Sequence, residues 1–142
     1  MFKIYCTGIV HYPDGVVLVR SNDKERWRLP ERIVDESEDV LLCMRRTVLT
    51  QTGYRTIKLR LYKVQTQSRT AKRAPFIRFI FGCEIGNEPI AQPEAIAERF
   101  TPDDIIRLAA KDEFNDKTLM QLVHNYHAGI AQTPSAPLSQ ED

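Results

Sequence analysis

The chain has 142 residues, 42% of them hydrophobic and 27% charged, with a formal net charge of +1 at pH 7. That length suits one domain with a sizeable core, and the near-neutral total excludes a strong global attraction to nucleic acid or to a membrane surface. No apolar run is long enough for a membrane helix, and Met1-Phe2-Lys3-Ile4 runs directly into a strand-like pattern, so no secretion signal is expected.

Residues 3–11 and 16–21 are rich in Ile, Val, Tyr and Thr, and Pro13-Asp14-Gly15 lies between them. This reads as a β-hairpin whose Pro presets φ and whose Gly accepts positive φ. Residues 22–38 are polar and irregular. From Asp39 to Thr52 the apolar positions Val40, Leu41, Met44, Val48 and Leu49 recur at helical spacing. Ser37 or Asp39 is placed to cap that helix, and Gly53 to end it in the left-handed conformation.

Residues 54–67 alternate, with Ile57, Leu59 and Leu61 expected on one strand face and Lys58 and Arg60 on the other. A basic loop, 68–74, leads to Pro75 and a second strand from Phe76 to Ile85. That strand is expected to be central and apolar on both faces. Thr101-Pro102-Asp103-Asp104 is a helix start. Asn115 is a candidate cap for a last helix lined by Leu119, Leu122, Val123 and Tyr126, with Gly129 as its end. The order predicts an α/β domain over residues 1–130 with a mixed sheet packed between helices. Residues 131–142, without periodicity, are expected to form a disordered tail.

Charge is segregated along the chain. From Arg55 to Cys83 there are eight basic residues and no acid; from Glu84 to Asp116 there are nine acids against three bases. Such segregation creates a local positive field, unless these residues are simply solvated faces. Cys6, Cys43 and Cys83 are odd in number, far apart and set among apolar residues. Reduced, buried thiols in a cytoplasmic setting are the expectation, not a disulfide frame or zinc site. His11, His124 and His127 lack a metal-like spacing with Cys or carboxylates.

Trp27-Arg28-Leu29-Pro30, an acidic loop, a helix and Thr52-Gly53-Tyr54 together resemble the Nudix (MutT-like) hydrolase family. Its signature is G-x5-E-x7-R-E-U-x-E-E-x-G-U, with U a bulky apolar residue. The spacing matches without gaps: Glu38 takes the first glutamate, Arg46 the arginine, Val48 and Tyr54 the apolar positions, and Gly53 the glycine. Ala97 to Asp104 resembles a later segment of the family. The resemblance covers roughly residues 3 to 128 and implies an α/β/α sandwich.

The departures fall on the chemistry. Arg32 stands at the opening glycine, and Thr47, Thr50 and Gln51 stand at the three helix glutamates. In the family those glutamates hold magnesium or a similar ion, which bridges a diphosphate and helps activate water. Magnesium prefers charged oxygen ligands in a tight octahedron, and a hydroxyl or amide supplies only a dipole. The box is therefore degenerate, with no resident metal expected.

The leading reading is a Nudix-fold protein that binds a nucleotide or another phosphorylated small molecule with little or no hydrolysis. Its ligand-binding candidates are Arg32, Arg46, Trp27, Arg69, Lys72 and Arg73, because a guanidinium grips phosphate directly. Arg45 is read as pointing to solvent more readily than Arg46, and Trp27 has core packing as its ordinary role. A second reading is a Mg- or Mn-dependent hydrolase of nucleoside diphosphate-linked compounds. It would use relocated acids, with Asp35, Glu36 and Glu38 as metal ligands and Glu38, Glu36 and Glu98 as catalytic candidates. A third is an RNA-binding module built on the basic segment 55–78, disfavoured by the overall charge. The resemblance also implies a homodimer as the common assembly.

Overall fold

The computed structural model describes residues 2–132. Strands β1 (Lys3–Tyr12) and β2 (Gly15–Arg20) form the expected hairpin. Its loop is only two residues, since Tyr12 pairs with Gly15. Gly15 is not in the positive-φ region, which corrects the conformational reason given for it. Its need is steric: a Cβ there would sit 2.1 Å from the Phe100 carbonyl oxygen.

The stretch read as irregular contains a short strand, β3 (Glu31–Ile33), antiparallel to β1 with Thr7 opposite Glu31 and Cys6 opposite Arg32. Helix α1 (Val40–Thr52) follows. Asp39 caps it, its carboxylate accepting from the Leu41 and Leu42 amides at 2.9 and 3.1 Å. Gly53 ends it at φ 82°, a conformation that a side chain resists.

Strands β4 (Thr56–Gln67) and β5 (Phe76–Ile85) form a long hairpin, and β5 runs parallel to β1. After β6 (Ile96–Phe100) come α2 (Pro102–Ala110) and α3 (Lys117–Gln132). The sheet order is β4-β5-β1-β2-β6, with β3 beside β1, so β5 is indeed central. Thr101 and Asp104 cap α2 reciprocally. Asp116, not Asn115, caps α3, accepting from the Thr118 and Leu119 amides. The last helix also runs past Gly129 to Gln132, and most of the expected tail, residues 133–142, lies outside the described residues.

Two cores sandwich the sheet. On one face Met44 and Val48 of α1 pack with Cys6, Val10, Phe81 and Cys83. On the other, Ile105 of α2 and Leu119, Val123 and Tyr126 of α3 pack with Ile9, Leu18 and Ile80. Each fully buried aliphatic side chain contributes roughly 2 kcal/mol, so α1 is fixed by its inner stripe and not by helix propensity.

One alternation fails. Leu59 is buried, but Ile57 and Leu61 are 59% and 54% exposed. Register shifts at Thr56/Lys58 and Leu61/Lys63 interrupt the period. Strand β4 is also a sheet edge, and Leu61, opposite Phe81, points to the α1 side and stays exposed there.

Candidate functional site

The box helix turns Thr47 toward β1 and Gln51 toward β3. Thr47 is 1% exposed, and its hydroxyl donates to the Cys43 carbonyl one turn back at 2.8 Å. Gln51 reaches across to β3, its amide nitrogen donating to the Glu31 carbonyl at 3.2 Å. Its amide oxygen is buried and has no hydrogen-bond partner among the described residues. Thr50 is half-buried, and its carbonyl accepts from the Glu94 amide at 2.8 Å.

The acidic loop does not regroup into a replacement site. Glu38 accepts from the Asp35 amide at 2.9 Å and donates its own amide to the Asp35 carbonyl at 3.0 Å, so its carboxylate closes its own turn. Asp35 and Glu36 are exposed. Among the described residues no three His, Cys, Asp or Glu side chains come together as a metal cluster. Glu98 is excluded from such a site by strand geometry. It pairs with Leu18, whose side chain belongs to the α2–α3 core, so Glu98 projects from the face opposite α1.

The described residues thus bring no cluster of charged ligands to the box for a magnesium or manganese ion. The orphaned Gln51 oxygen is a place for one donor, such as a water or a ligand N–H. A dication needs more: a unit-charge pair near 4 Å is worth roughly 4 kcal/mol at effective dielectric 20, and Thr47, Thr50 and Gln51 bring no charge.

The two arginines of the helix exchange the roles expected of them. Arg45 is half-buried, and its guanidinium donates to the Thr56 carbonyl at 3.0 Å. Arg46 is exposed. Arg32 is exposed on β3, opposite Cys6 and thus on the α1 side. Trp27 is 6% exposed, stacked edge-on to Phe100 with Arg20 lying 4.1 Å over its ring. It is a core residue under an arginine. Arg69, Lys72 and Arg73 are exposed in the β4–β5 loop, where the Thr70 hydroxyl accepts from the Lys72 and Arg73 amides. That loop lies at the end of the sheet where β1 begins, because Gln67 and Lys3 both pair with Phe76.

The sequence reading missed a polar cluster on the face opposite α1. Arg78 of β5 forms an ion pair with Glu31 at 2.8 Å and donates to the Gln65 side chain at 3.1 Å, while the Thr7 hydroxyl donates to the same Glu31 oxygen at 2.5 Å. Tyr5 and Phe76 flank the guanidinium, their ring centres 5.4 and 5.0 Å away. The signal was hidden because β3 is three residues long, and without its register Glu31 has no visible neighbour. Glu31 thus ties two faces together: its carboxylate holds Arg78, and its carbonyl holds Gln51.

Two of the thiols are inert by environment. Cys6, Cys43 and Cys83 are free and buried, with the Cys6 and Cys43 sulfurs 3.6 Å apart. Burial, then the neighbouring Cys43, pushes the Cys6 thiol up to about 12, and burial raises Cys83 as well. Neither is a nucleophile at neutral pH. His11 is buried against Tyr126, 3.1 Å from its hydroxyl. Burial, then His127 and Arg60, lowers it to about 4.

A family model for the NUDIX domain matches residues 4–123. The chain belongs to the NUDIX family. Solved structures agree on the fold. A NUDIX hydrolase from Nitrosomonas europaea superposes with a TM-score of 0.70 at 19% identity, covering 91% of this chain and 90% of that one. MutT from Aliivibrio salmonicida and Vibrio cholerae gives 0.65 at 12% identity, covering 89% and 99%. A MutT NUDIX hydrolase from Burkholderia pseudomallei gives 0.58 at 19% identity, covering 73% and 86%. No curated protein matches the sequence. This NUDIX chain thus keeps the family's α/β/α frame with Thr47, Thr50 and Gln51 at the helix positions that carry glutamates in the signature.

Proposed function

We propose that this NUDIX protein binds a nucleotide or another phosphorylated small molecule and hydrolyses it little or not at all. One observation carries the reading: two of the three altered helix positions are already committed to structure. Thr47 returns its hydroxyl to its own helix and Gln51 spans to the Glu31 carbonyl. A hydrogen bond across the helix–strand seam stands where the signature would place a charged cation ligand. The solved neighbours are named as hydrolases, and a diphosphate hydrolase needs a metal to offset charge and position water. Here cation and water activation go together, and the ligand's phosphates fall to guanidinium. Arg32, beside the box helix on β3, is the first candidate, since it is exposed and stands where the signature has glycine.

The same reading makes the protein independent of magnesium or manganese for binding. It places the protein in the cytoplasm, in keeping with three free thiols. Among the described residues no helix is long and apolar enough to cross a membrane. A homodimer belongs to the reading as well, with the exposed β4 side chains Leu61 and Val64 as apolar surface for it.

The test is a turnover assay with nucleoside diphosphate compounds in millimolar magnesium or manganese, beside a thermal-shift series with and without the metal. Stabilisation that does not depend on metal, without product, supports the reading. Metal-dependent turnover on the order of 1 per second, abolished by Glu38→Gln, sinks it in favour of a hydrolase with relocated acids.

A further inference from the structure

We propose a second anion site, separate from the box, in the groove between the outer flank of α1 and the start of β4, for a phosphomonoester carrying a small apolar body. The groove has two adjoining compartments of ≈ 460 and ≈ 310 Å³ that share Arg45, Arg55 and Thr56, and these volumes are in the range of small-molecule sites. The smaller compartment adds Arg46 and Leu49, and the larger adds Ile57, Ile90 and Glu88.

Four features point to a ligand. The side chains of Arg46 and Arg55 make no hydrogen bond or ion pair among the described residues, so two guanidinium charges border the smaller compartment, which no carboxylate lines, while Glu88 lines only the larger one. A phosphomonoester carries about −1.5 to −2 at neutral pH, which balances those two charges where a monocarboxylate balances one. Arg45 is held by the Thr56 carbonyl at 3.0 Å, which fixes one wall before any ligand arrives and lowers the ordering cost of binding. Thr56 lines both compartments, and its hydroxyl, shut off from solvent, has no partner among the described residues. Ile57 and Ile90 are 59% and 65% exposed, an apolar area that the body of a ligand would cover.

The site is not the box cleft. Around α1, Arg45 and Leu49 lie on the flank away from Thr47 and Gln51, at positions set by the 100° helical step. Arg46 stands between the two. The groove shares Arg46 with the box, whereas Arg55, Thr56, Ile57 and Glu88 belong to the groove alone.

The experiment is a titration of the ¹⁵N-labelled protein with inorganic phosphate, then with phenyl phosphate, at constant ionic strength. Amide resonances of Arg55, Thr56, Ile57, Gly86 and Glu88 should shift saturably, and phenyl phosphate should bind tighter than phosphate. The double variant Arg46→Gln/Arg55→Gln, changed at exposed positions, should weaken binding at least about tenfold, as expected for losing charge-assisted hydrogen bonds. Arg32→Gln should leave these shifts unchanged, and Glu88→Gln should tighten binding. Non-saturable shifts, or saturable shifts that the double variant leaves unchanged, overturn the site. Phenyl phosphate binding no tighter than phosphate overturns the role given to Ile57 and Ile90.

Discussion

Replacing Gln51 with Glu restores the residue type of the signature at the position where this chain has built a hydrogen bond. The change removes the donor that bridges to the Glu31 carbonyl at 3.2 Å, a loss of about 0.5–1.5 kcal/mol. It also sets a carboxylate against that carbonyl and places charge on an oxygen that is already buried without a donor, which costs a further 1–3 kcal/mol or so. Together the variant should lose about 2–4 kcal/mol, which in a domain of this size lowers Tm by roughly 5–15 °C. Gln51→Met, which removes both the bond and the orphaned oxygen, should lose much less. Thermal unfolding followed by circular dichroism, in chelator and in millimolar magnesium, measures all of this. With Thr47 and Thr50 neutral, magnesium should recover only a small part of the loss in Gln51→Glu. A Gln51→Glu protein as stable as the parent in chelator would refute the claim that the box positions are structural.

Other consequences follow from single contacts. His11 is neutral in the fold at about 4, against 6.5 for an ordinary histidine. The unfolded chain takes up its proton first, so stability is complete above about pH 6.5 and falls as pH drops toward 4. The difference is worth about 3 kcal/mol, and His11→Gln should flatten that part of a denaturation-versus-pH curve; an unchanged slope would contradict the assignment. Asp39→Ala removes the α1 cap that accepts from Leu41 and Leu42 and should cost about 1 kcal/mol in urea unfolding. Thr56→Val keeps the shape and removes an unmet hydroxyl, so it should be neutral or stabilising by up to about 1 kcal/mol. A loss of stability there would mean that the hydroxyl is satisfied in solution.

The frame of this protein was legible because its signals are local. The Asp39 cap, the inner stripe of Met44 and Val48, Gly53 and the Thr101–Asp104 capping box each need only a few adjacent residues, and each is present. What stayed hidden depends on register and on facing. Ile57 went to the wrong side of the balance because a bulge at Thr56/Lys58 breaks the period of β4, and Leu61 because it faces the α1 side on an edge strand and stays exposed. Glu98 joined the acids of the loop on paper, yet its pairing with Leu18 sends it through the sheet. Arg45 and Arg46 are neighbours in sequence, and only the start of β4 decides that Arg45 is the one held. The Glu31–Arg78 pair joins residues 47 apart, a distance no local pattern spans.

The most direct test of ligand binding without hydrolysis is a ³¹P NMR time course of a nucleoside diphosphate compound with the protein, recorded in chelator and then in millimolar magnesium. The account predicts broadened or shifted ligand resonances in both conditions and no product signal. Product that accumulates only with magnesium, at a rate near 1 per second and lost in Glu38→Gln, would contradict it.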